Sequence, residues 1–216
     1  MAGFWTEAEA EFHRIAAAYF RRLTDRERLK GAPGAETIWR DLEGEINADK
    51  TSRSRNNGRA GRVSVCEEAA CHDPKLGREL LAWRAAAAPL DPLEEMACRL
   101  GRLAGTAAHV VEAGARAARE RGSFSSSLMG CREVQESLAG LVSGAGLVRL
   151  GACRLCRLLE RGDRERAGRE SAELEARARA LSADLRAVAG SLLGEPWVEA
   201  NIPAEDLPFH SERKPR

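Results

Sequence analysis

Apolar residues along the chain recur every three or four positions, which is the spacing of one face of an α-helix. In the first part of the chain this pattern predicts helices over residues 6–29, 35–46, 63–70 and 74–88. Thr6, followed three residues later by Glu9, forms a capping box for the first of them. Residues 47–62 carry five Lys or Arg against one acid and are rich in Asn, Gly and Ser. They predict a basic loop, either an anion-binding arm or, as we prefer, a solvated flexible segment.

After Pro92 the predicted helices become longer. Three long amphipathic helices are predicted, near residues 93–121, 128–161 and 164–193. Short turns between long helices make them antiparallel neighbours in a bundle. The third helix has apolar residues in alternating steps of four and three, a heptad seam suited to helix partners. This seam consists of Leu174, Ala178, Leu181, Leu185, Val188 and Leu192. We therefore divide the chain into an N-terminal helical region (1–91), a long-helix bundle (92–194) and an irregular tail (195–216).

Composition narrows the classes of protein that fit this pattern. The chain of 216 residues has 34 Lys+Arg against 33 Asp+Glu, and only 5% of its residues are aromatic. The few β-branched and aromatic residues disfavour a sheet and favour an all-α fold. The balanced charge argues against nucleic-acid binding. With no run of about 18 uninterrupted apolar residues and no secretory signal at Met1, we expect no membrane span and a cytoplasmic location.

Six cysteines raise the question of disulfides or a metal site. We expect buried, reduced thiols, because a long helical chain does not need disulfides for stability. Cys153 and Cys156 form a CxxC motif inside a predicted helix, with no second pair at the spacing of a zinc site. Cys66, Cys71 and His72 resemble a haem-attachment motif, but their spacing is too wide. The sequence predicts no metal.

Three segments, at residues 115–139, 158–162 and 193–207, resemble motifs that occur in the same order in the acyl-CoA dehydrogenases, flavoenzymes that desaturate acyl-CoA thioesters. Residues 115–139 resemble the family signature, an ER-x-x-F-G turn followed by FQ-x-x-Q-x-x-LA. Residues 158–162 are similar to the family's LLDRG turn. Residues 193–207 resemble its L-G-G…E-Y-P-V-E ending. Residues 66–77 are a weaker match, to a segment that precedes the sheet domain in full-length members.

This resemblance implies a helical bundle like the C-terminal domain of these enzymes, with packed N-terminal helices. Full-length members carry a β-sheet domain between the two helical parts. Here only residues 78–91 separate them, so the domain that covers the flavin ring in relatives is missing. By position, Arg121 and Phe124 match residues that hold the diphosphate and adenine of FAD across a subunit interface. Arg132 stands where the family usually has a flavin-contacting Gln, and Gly194 matches the first Gly of the family's Gly-Gly pair.

The catalytic base is the main departure from the family. Asn201, which cannot accept a proton, occupies the usual position of the catalytic Glu. A minority of the family keeps its base on the first bundle helix, twenty-six residues before the signature Arg, and this position is Glu95. A carboxylate desolvated in an acyl pocket could remove an α-proton. The alternative is that Glu95 is a first-turn acid, favoured there by the helix dipole.

Three functions stay open on these grounds. We prefer a non-catalytic helical protein that acts by self-association, as a homo-oligomer and most simply a dimer, or as partner of a full-length acyl-CoA dehydrogenase. The second is an FAD-dependent acyl-CoA dehydrogenase whose site is completed by another chain, with Glu95 as base. The third is an unrelated helical-bundle binding module. FAD is the cofactor that the resemblance implies, and we expect none in the isolated chain.

Overall fold

A computed structural model describes residues 13–23, 34–48, 59–87, 90–123 and 126–202. These residues form an all-α fold, as the sequence predicts. Residues 13–23 form helix α1, and the remaining helices are α2 (Ala35–Ala48), α3 (Arg59–His72), α4 (Pro74–Ala87), α5 (Pro92–Glu120), α6 (Arg132–Glu160), α7 (Arg164–Leu193) and α8 (Glu195–Asn201). Between α5 and α6 lie two strands of two residues each, β1 (Gly122–Ser123) and β2 (Ser126–Ser127), and a 3₁₀ turn, Leu128–Gly130.

The three predicted long helices are confirmed, and local chemistry explains where they begin and end. Asp91 caps the start of α5 by accepting a hydrogen bond from the backbone of Leu93 at 3.0 Å. Asp163 caps α7 in the same way, accepting from Arg166 at 3.2 Å. Gly194, at a φ of 95°, ends α7 in a backbone conformation that favours glycine. The middle helix starts four residues later than predicted, because the 3₁₀ turn precedes it.

Two segments predicted to be irregular are partly helical. The basic loop was placed at 47–62, but its first two residues belong to α2 and residues 59–62 form the first turn of α3. Ion pairs from Arg59 and Arg62 to α5 favour this early start. The prediction of an irregular tail at 195–216 is also wrong for its first residues, because α8 occupies Glu195–Asn201. Pro196 lies in the first turn of α8, where its missing N–H costs no hydrogen bond.

Several predictions for the N-terminal region lie outside the described residues. Thr6 and Glu9, the proposed capping box, are among them, as are the centre of the basic loop and residues 203–216. The absence of strands from 78–91 is confirmed for its described part, since residues 78–87 belong to α4 and only Leu90 and Asp91 precede α5.

The long helices run up, down and up. Leu174 and Leu181 of α7 contact Gly151 and Gly144 of α6, so these two helices are antiparallel. Leu192, at the end of α7, reaches Gly114 of α5, so α5 and α7 point the same way. The heptad seam of α7 lies in this interior, with five of its six residues buried and Val188 packed beside them. The seam is therefore used within the chain, and it is not the surface for a partner that the sequence suggested.

Helix α3 lies alongside α5, in the same direction, with almost no side chains between the two backbones. A Cβ placed on Gly101 would lie 2.7 Å from the carbonyl oxygen of Val63, and a Cβ on Gly105 would overlap the carbonyl oxygen of Glu67. Only glycine allows so close an approach. Farther along, the His109 ring nitrogen Nδ1 lies 2.9 Å from the carbonyl oxygen of Cys71.

Two hydrophobic cores meet at α3. Val63 and Cys66 belong to the main core, which is built chiefly by α5, α6 and α7 and completed by Val198 and Ile202. Val65 and Ala69, on the other side of α3, belong to a second core with α1, α2 and α4. The second core includes Tyr19, Phe20, Ile38, Trp39, Leu42, Leu76 and Leu80. Residues on both sides of the predicted boundary at 91/92 thus share one core.

Among the described helices, one, α6, has the length and composition of a membrane span, and 33% of its apolar window is buried in the fold. One such helix is weak evidence for a membrane span, because core helices of soluble proteins meet the same test. Arg149 lies within α6 and is ion-paired with the buried carboxylate of Glu67. This polar contact is typical of a helix that packs on protein.

The close approach of α3 to α5 leads to a stability prediction. We expect Gly105→Ala to lower the free energy of unfolding by about 3 kcal/mol, because the new methyl overlaps a backbone carbonyl that cannot move independently. The control is Gly168→Ala in α7, where a Cβ meets nothing within 4 Å. It should raise stability by about 0.5–1 kcal/mol through helix propensity. Urea denaturation followed by circular dichroism measures both, and equal effects would contradict the packing described here.

Candidate functional site

The residues singled out by the resemblance lie at opposite ends of the bundle. Glu95 is in the first turn of α5, and Arg121 follows its last turn. At a rise of about 1.5 Å per residue, roughly 39 Å separate them along the helix. Arg132 and Gly194 lie at the Arg121 end, at the start of α6 and just after α7. Phe124 lies outside the described residues. Within one chain, the proposed base and the proposed diphosphate-binding residues cannot serve the same site.

Arg121 caps a helix. Its Nη1 donates a hydrogen bond of 2.8 Å to the carbonyl oxygen of Leu192, in the last turn of α7. Arg132 pairs with Glu136 one turn along α6, with Nε 2.7 Å from Oε1. A cation near a helix C-terminus satisfies carbonyl oxygens that lack partners and complements the negative end of the dipole. Both guanidinium groups thus have partners within the chain.

The charges at this end of the bundle are mixed. Helices α5 and α7 end here with partly negative carbonyl ends, and α6 begins here with a partly positive N-terminus. Glu136 and Glu195 add carboxylates, and the Glu195 side chain approaches Gly190 in the last part of α7. In the described residues Arg121 therefore acts as a helix cap, and Arg132 forms an ion pair along its own helix. Asn201, at the usual base position of the family, donates its amide to the carbonyl oxygen of Trp197 at 2.9 Å.

Glu95 is not the buried acid at the start of α5. Its carboxylate is about one-third exposed and pairs with Arg99 one turn along the helix, with 2.5 Å between Oε1 and Nη2. The neighbouring Glu94 is the buried one. Its side chain is 8% exposed and lies between two arginines of α3, 2.5 Å from Arg62 Nη1 and 3.4 Å from Arg59 Nε. Glu94 therefore ties the start of α5 to the start of α3.

A second buried carboxylate belongs to α3 itself, about two turns after Arg59. The Glu67 side chain is 1% exposed and is ion-paired with Arg149, which reaches it from α6. Burial lowers the pKa of Arg149, with Cys153 acting in the opposite direction. Burying an acid without a partner is very unfavourable, so this pair fixes which side of α6 faces α3. These buried acids hold helices together.

The six cysteines form no disulfide in the described residues; four of them are buried, as expected, and Cys71 and Cys131 are partly exposed. Cys66 hydrogen-bonds to Cys98, which together with burial holds the pKa of the Cys98 thiol well above its usual range. Burial likewise raises the pKa of Cys156. Thiols of this kind stay protonated and are poor nucleophiles. Within the part of the chain that the structure describes, no group of three or more His, Cys, Asp or Glu could hold a metal ion.

A polar cavity of about 500 Å³ opens between α1, α3 and α5. Its potential reactive groups already have partners within the chain. Glu68 lies 3.0 Å from His13, and Glu112 pairs with Arg116. The ring of His109 stacks on that of Trp197 at 5.9 Å. Burial, with Glu68 and Glu112 nearby, raises the pKa of Cys71 to about 11, so this thiol is protonated at neutral pH. The described residues that line the cavity therefore include no activated thiol.

The outer face of α6 carries exposed apolar residues. We use this name for Glu136, Ala139, Gly140, Ser143, Gly146, Leu147, Leu150 and Arg154, which follow one side of the helix. Leu147 is 52% exposed and Leu150 37%, and Val142 on the flank of this face is 57% exposed. A groove of about 360 Å³ between Leu147, Leu150 and α7 continues the face sideways. Contiguous exposed apolar residues of this kind mark interaction sites.

Sequence reasoning missed this face because it followed only the core stripe of α6. The stripe was predicted well, with Leu138, Leu141 and Val148 among its buried members. The signal for the second face was present, since residues 137–148 carry no charge at all. An amphipathic helix with one buried side would place charges opposite its stripe, and this segment places leucine, glycine and serine there.

The two neighbouring acids of α5 provide a test of this geometry. We expect Glu94→Gln to lower the free energy of unfolding by about 3 kcal/mol, because it leaves two partly buried arginines without their anion. Glu95→Gln, the matched control, should change it by less than about 0.5 kcal/mol, since its ion pair is exposed. Thermal and urea denaturation of both variants measure the difference. The reverse order would show that Glu95 is the buried carboxylate.

Comparison with known proteins adds no relative. No protein-family model, curated protein or solved structure matches this chain. The similarity to acyl-CoA dehydrogenases therefore stays a prediction from sequence motifs, and the function has to be argued from the structure itself.

Proposed function

We propose that this chain is a non-catalytic helical protein that acts by self-association through the outer face of α6. The observation that carries this proposal is the exposure of Leu147 and Leu150 in the middle of a long helix that is uncharged over residues 137–148. A solvated helix surface of this length normally carries charge, as the outer side of α7 does. Burial against another chain removes the apolar area from water.

The distribution of reactive groups supports a non-catalytic role. The buried carboxylates, Glu67 and Glu94, are neutralised by arginines. The carboxylate proposed as base, Glu95, pairs with Arg99 and lies far from Arg121. General acid–base catalysis needs a group that is free to exchange a proton with substrate. In the described residues these acids serve packing.

Self-association is tested by mass. We expect the wild-type chain, 23.5 kDa as a monomer, to scatter light as a dimer or larger species at micromolar concentration. Leu147→Glu should return it to the monomer mass, because it places a charge in the centre of the apolar contact. Ala180→Glu, on the exposed side of α7, adds the same charge elsewhere and should leave the mass unchanged. A wild-type monomer under these conditions would contradict the proposal.

The non-catalytic role is tested separately. We expect no acyl-CoA dehydrogenase turnover from the isolated chain supplied with FAD, an acyl-CoA and an artificial electron acceptor, because base and flavin contacts are not brought together. Turnover that disappears in Glu95→Gln and persists in Asn201→Ala would instead establish the flavoenzyme alternative. Both variants should first be shown to fold by circular dichroism.

A further inference from the structure

The outer face of α6 carries opposite charges at its two ends. Glu136, near the start of the helix, has a side chain that is 62% exposed. Arg154, nearly five turns later on the same side, is 59% exposed. Between them the face is uncharged and has its exposed leucines in the second half. The face therefore has a carboxylate near one end, with small residues beside it, and a guanidinium near the other end, with large apolar residues beside it.

Two copies of such a face are complementary when they pack antiparallel. Consider a twofold axis at the level of Ala145, which makes two copies of α6 antiparallel. A residue of one copy then lies opposite the residue of the other copy that is equally far from Ala145 on the other side. Leu150 of one copy then faces Gly140 of the other. Leu147 faces Ser143, and Arg154 faces Glu136. Each exposed leucine thus lies opposite a small residue, and the charged pair joins opposite signs.

The small residues have room to receive the large ones. A Cβ built on Gly140 or on Gly146 meets no atom of its own chain within 4 Å, so the surface there is open. Small residues let helices approach closely, and a leucine opposite a glycine packs as a knob into that space. Glu173 and Arg177 of α7 border the adjacent groove and form a polar rim, as in specific protein interfaces.

We propose that the partner of the outer face of α6 is the same face of a second copy of this chain, packed antiparallel about a twofold axis at Ala145. This inference rests on the self-association proposed above and adds its geometry. The contact is isologous, so each interaction occurs twice and the assembly closes as a dimer. Glu136 and Arg154 already pair within their own chains, with Arg132 and Glu170, and in the dimer they join these pairs into two charge networks.

The ends of the face allow a charge-swap test by sedimentation equilibrium at low ionic strength. Glu136→Arg puts like charges at both ends of the antiparallel dimer, as does Arg154→Glu. We expect each variant alone to have a dissociation constant about tenfold above that of the wild type. An equimolar mixture of the two variants should recover affinity close to the wild type, because the heterodimer again has opposite charges at both ends. Glu79→Arg on α4 makes the same charge change away from the face and should have no effect.

The mixture also serves as a control for folding when it is compared with each variant alone. Arg154→Glu also removes an ion pair to Glu170, so this chain has a local reason to be less stable. The mixture contains the same chain, and a misfolded chain would not recover affinity when its complement is added.

Each other outcome overturns a defined part of the argument. A parallel dimer has like charges facing in the wild type, so neither single variant would then weaken it. Dimers that depend on Leu147 but ignore both charge variants would overturn the antiparallel register and leave self-association standing. A monomeric wild type would remove both proposals. If that monomer bound phosphatidylcholine vesicles and Leu147→Glu abolished the binding, the face would be a lipid-binding surface.

Discussion

The fold depends on the direct contact between the backbones of α3 and α5. Gly101 and Gly105 remove the side chains that would hold the two helices apart. This contact buries α3 on one side against the long helices and leaves its other side to organise α1, α2 and α4. The two hydrophobic cores are therefore joined by one helix. A change that separates α3 from α5 disturbs both cores at once.

The same contact explains the buried charges. Glu67 lies where α3 approaches α5 most closely, and its carboxylate has no route to water. Arg149 must reach it from α6, and this fixes the rotation of α6 about its axis. Glu94 and its two arginines fix the register of α5 along α3. Buried ion pairs often add little net stability, but leaving either partner alone is strongly unfavourable, so they exclude alternative packings. The side of α6 that faces away from Glu67 is then the side left exposed.

Periodicity predicted the long helices and most of their core residues, because burial of one face is a property of the local pattern. It did not distinguish Glu94 from Glu95. Neighbouring helical residues point about 100° apart, and only the position of α3 decides which of them is buried. Motif spacing placed Arg121 correctly at a helix end. It could not show that the carbonyl oxygen of Leu192 would accept a hydrogen bond from the Arg121 guanidinium. The partners of Glu94 and Arg121 come from distant parts of the chain, which a local pattern does not contain.

The location of the reactive groups supports the proposal that this protein acts through self-association. Carboxylates, guanidinium groups and thiols are the groups from which active sites are made, and here the buried ones contact each other. Each such contact provides a buried polar group with a partner and at the same time removes that group from chemistry with a substrate. The outer face of α6 shows the opposite pattern, because Leu147 and Leu150 are exposed and their apolar surface leaves water only when another molecule covers it. A rigid inner side, fixed by Glu67 and Arg149, holds that outer face in a single shape, and a fixed shape is what two copies need in order to pair in one register.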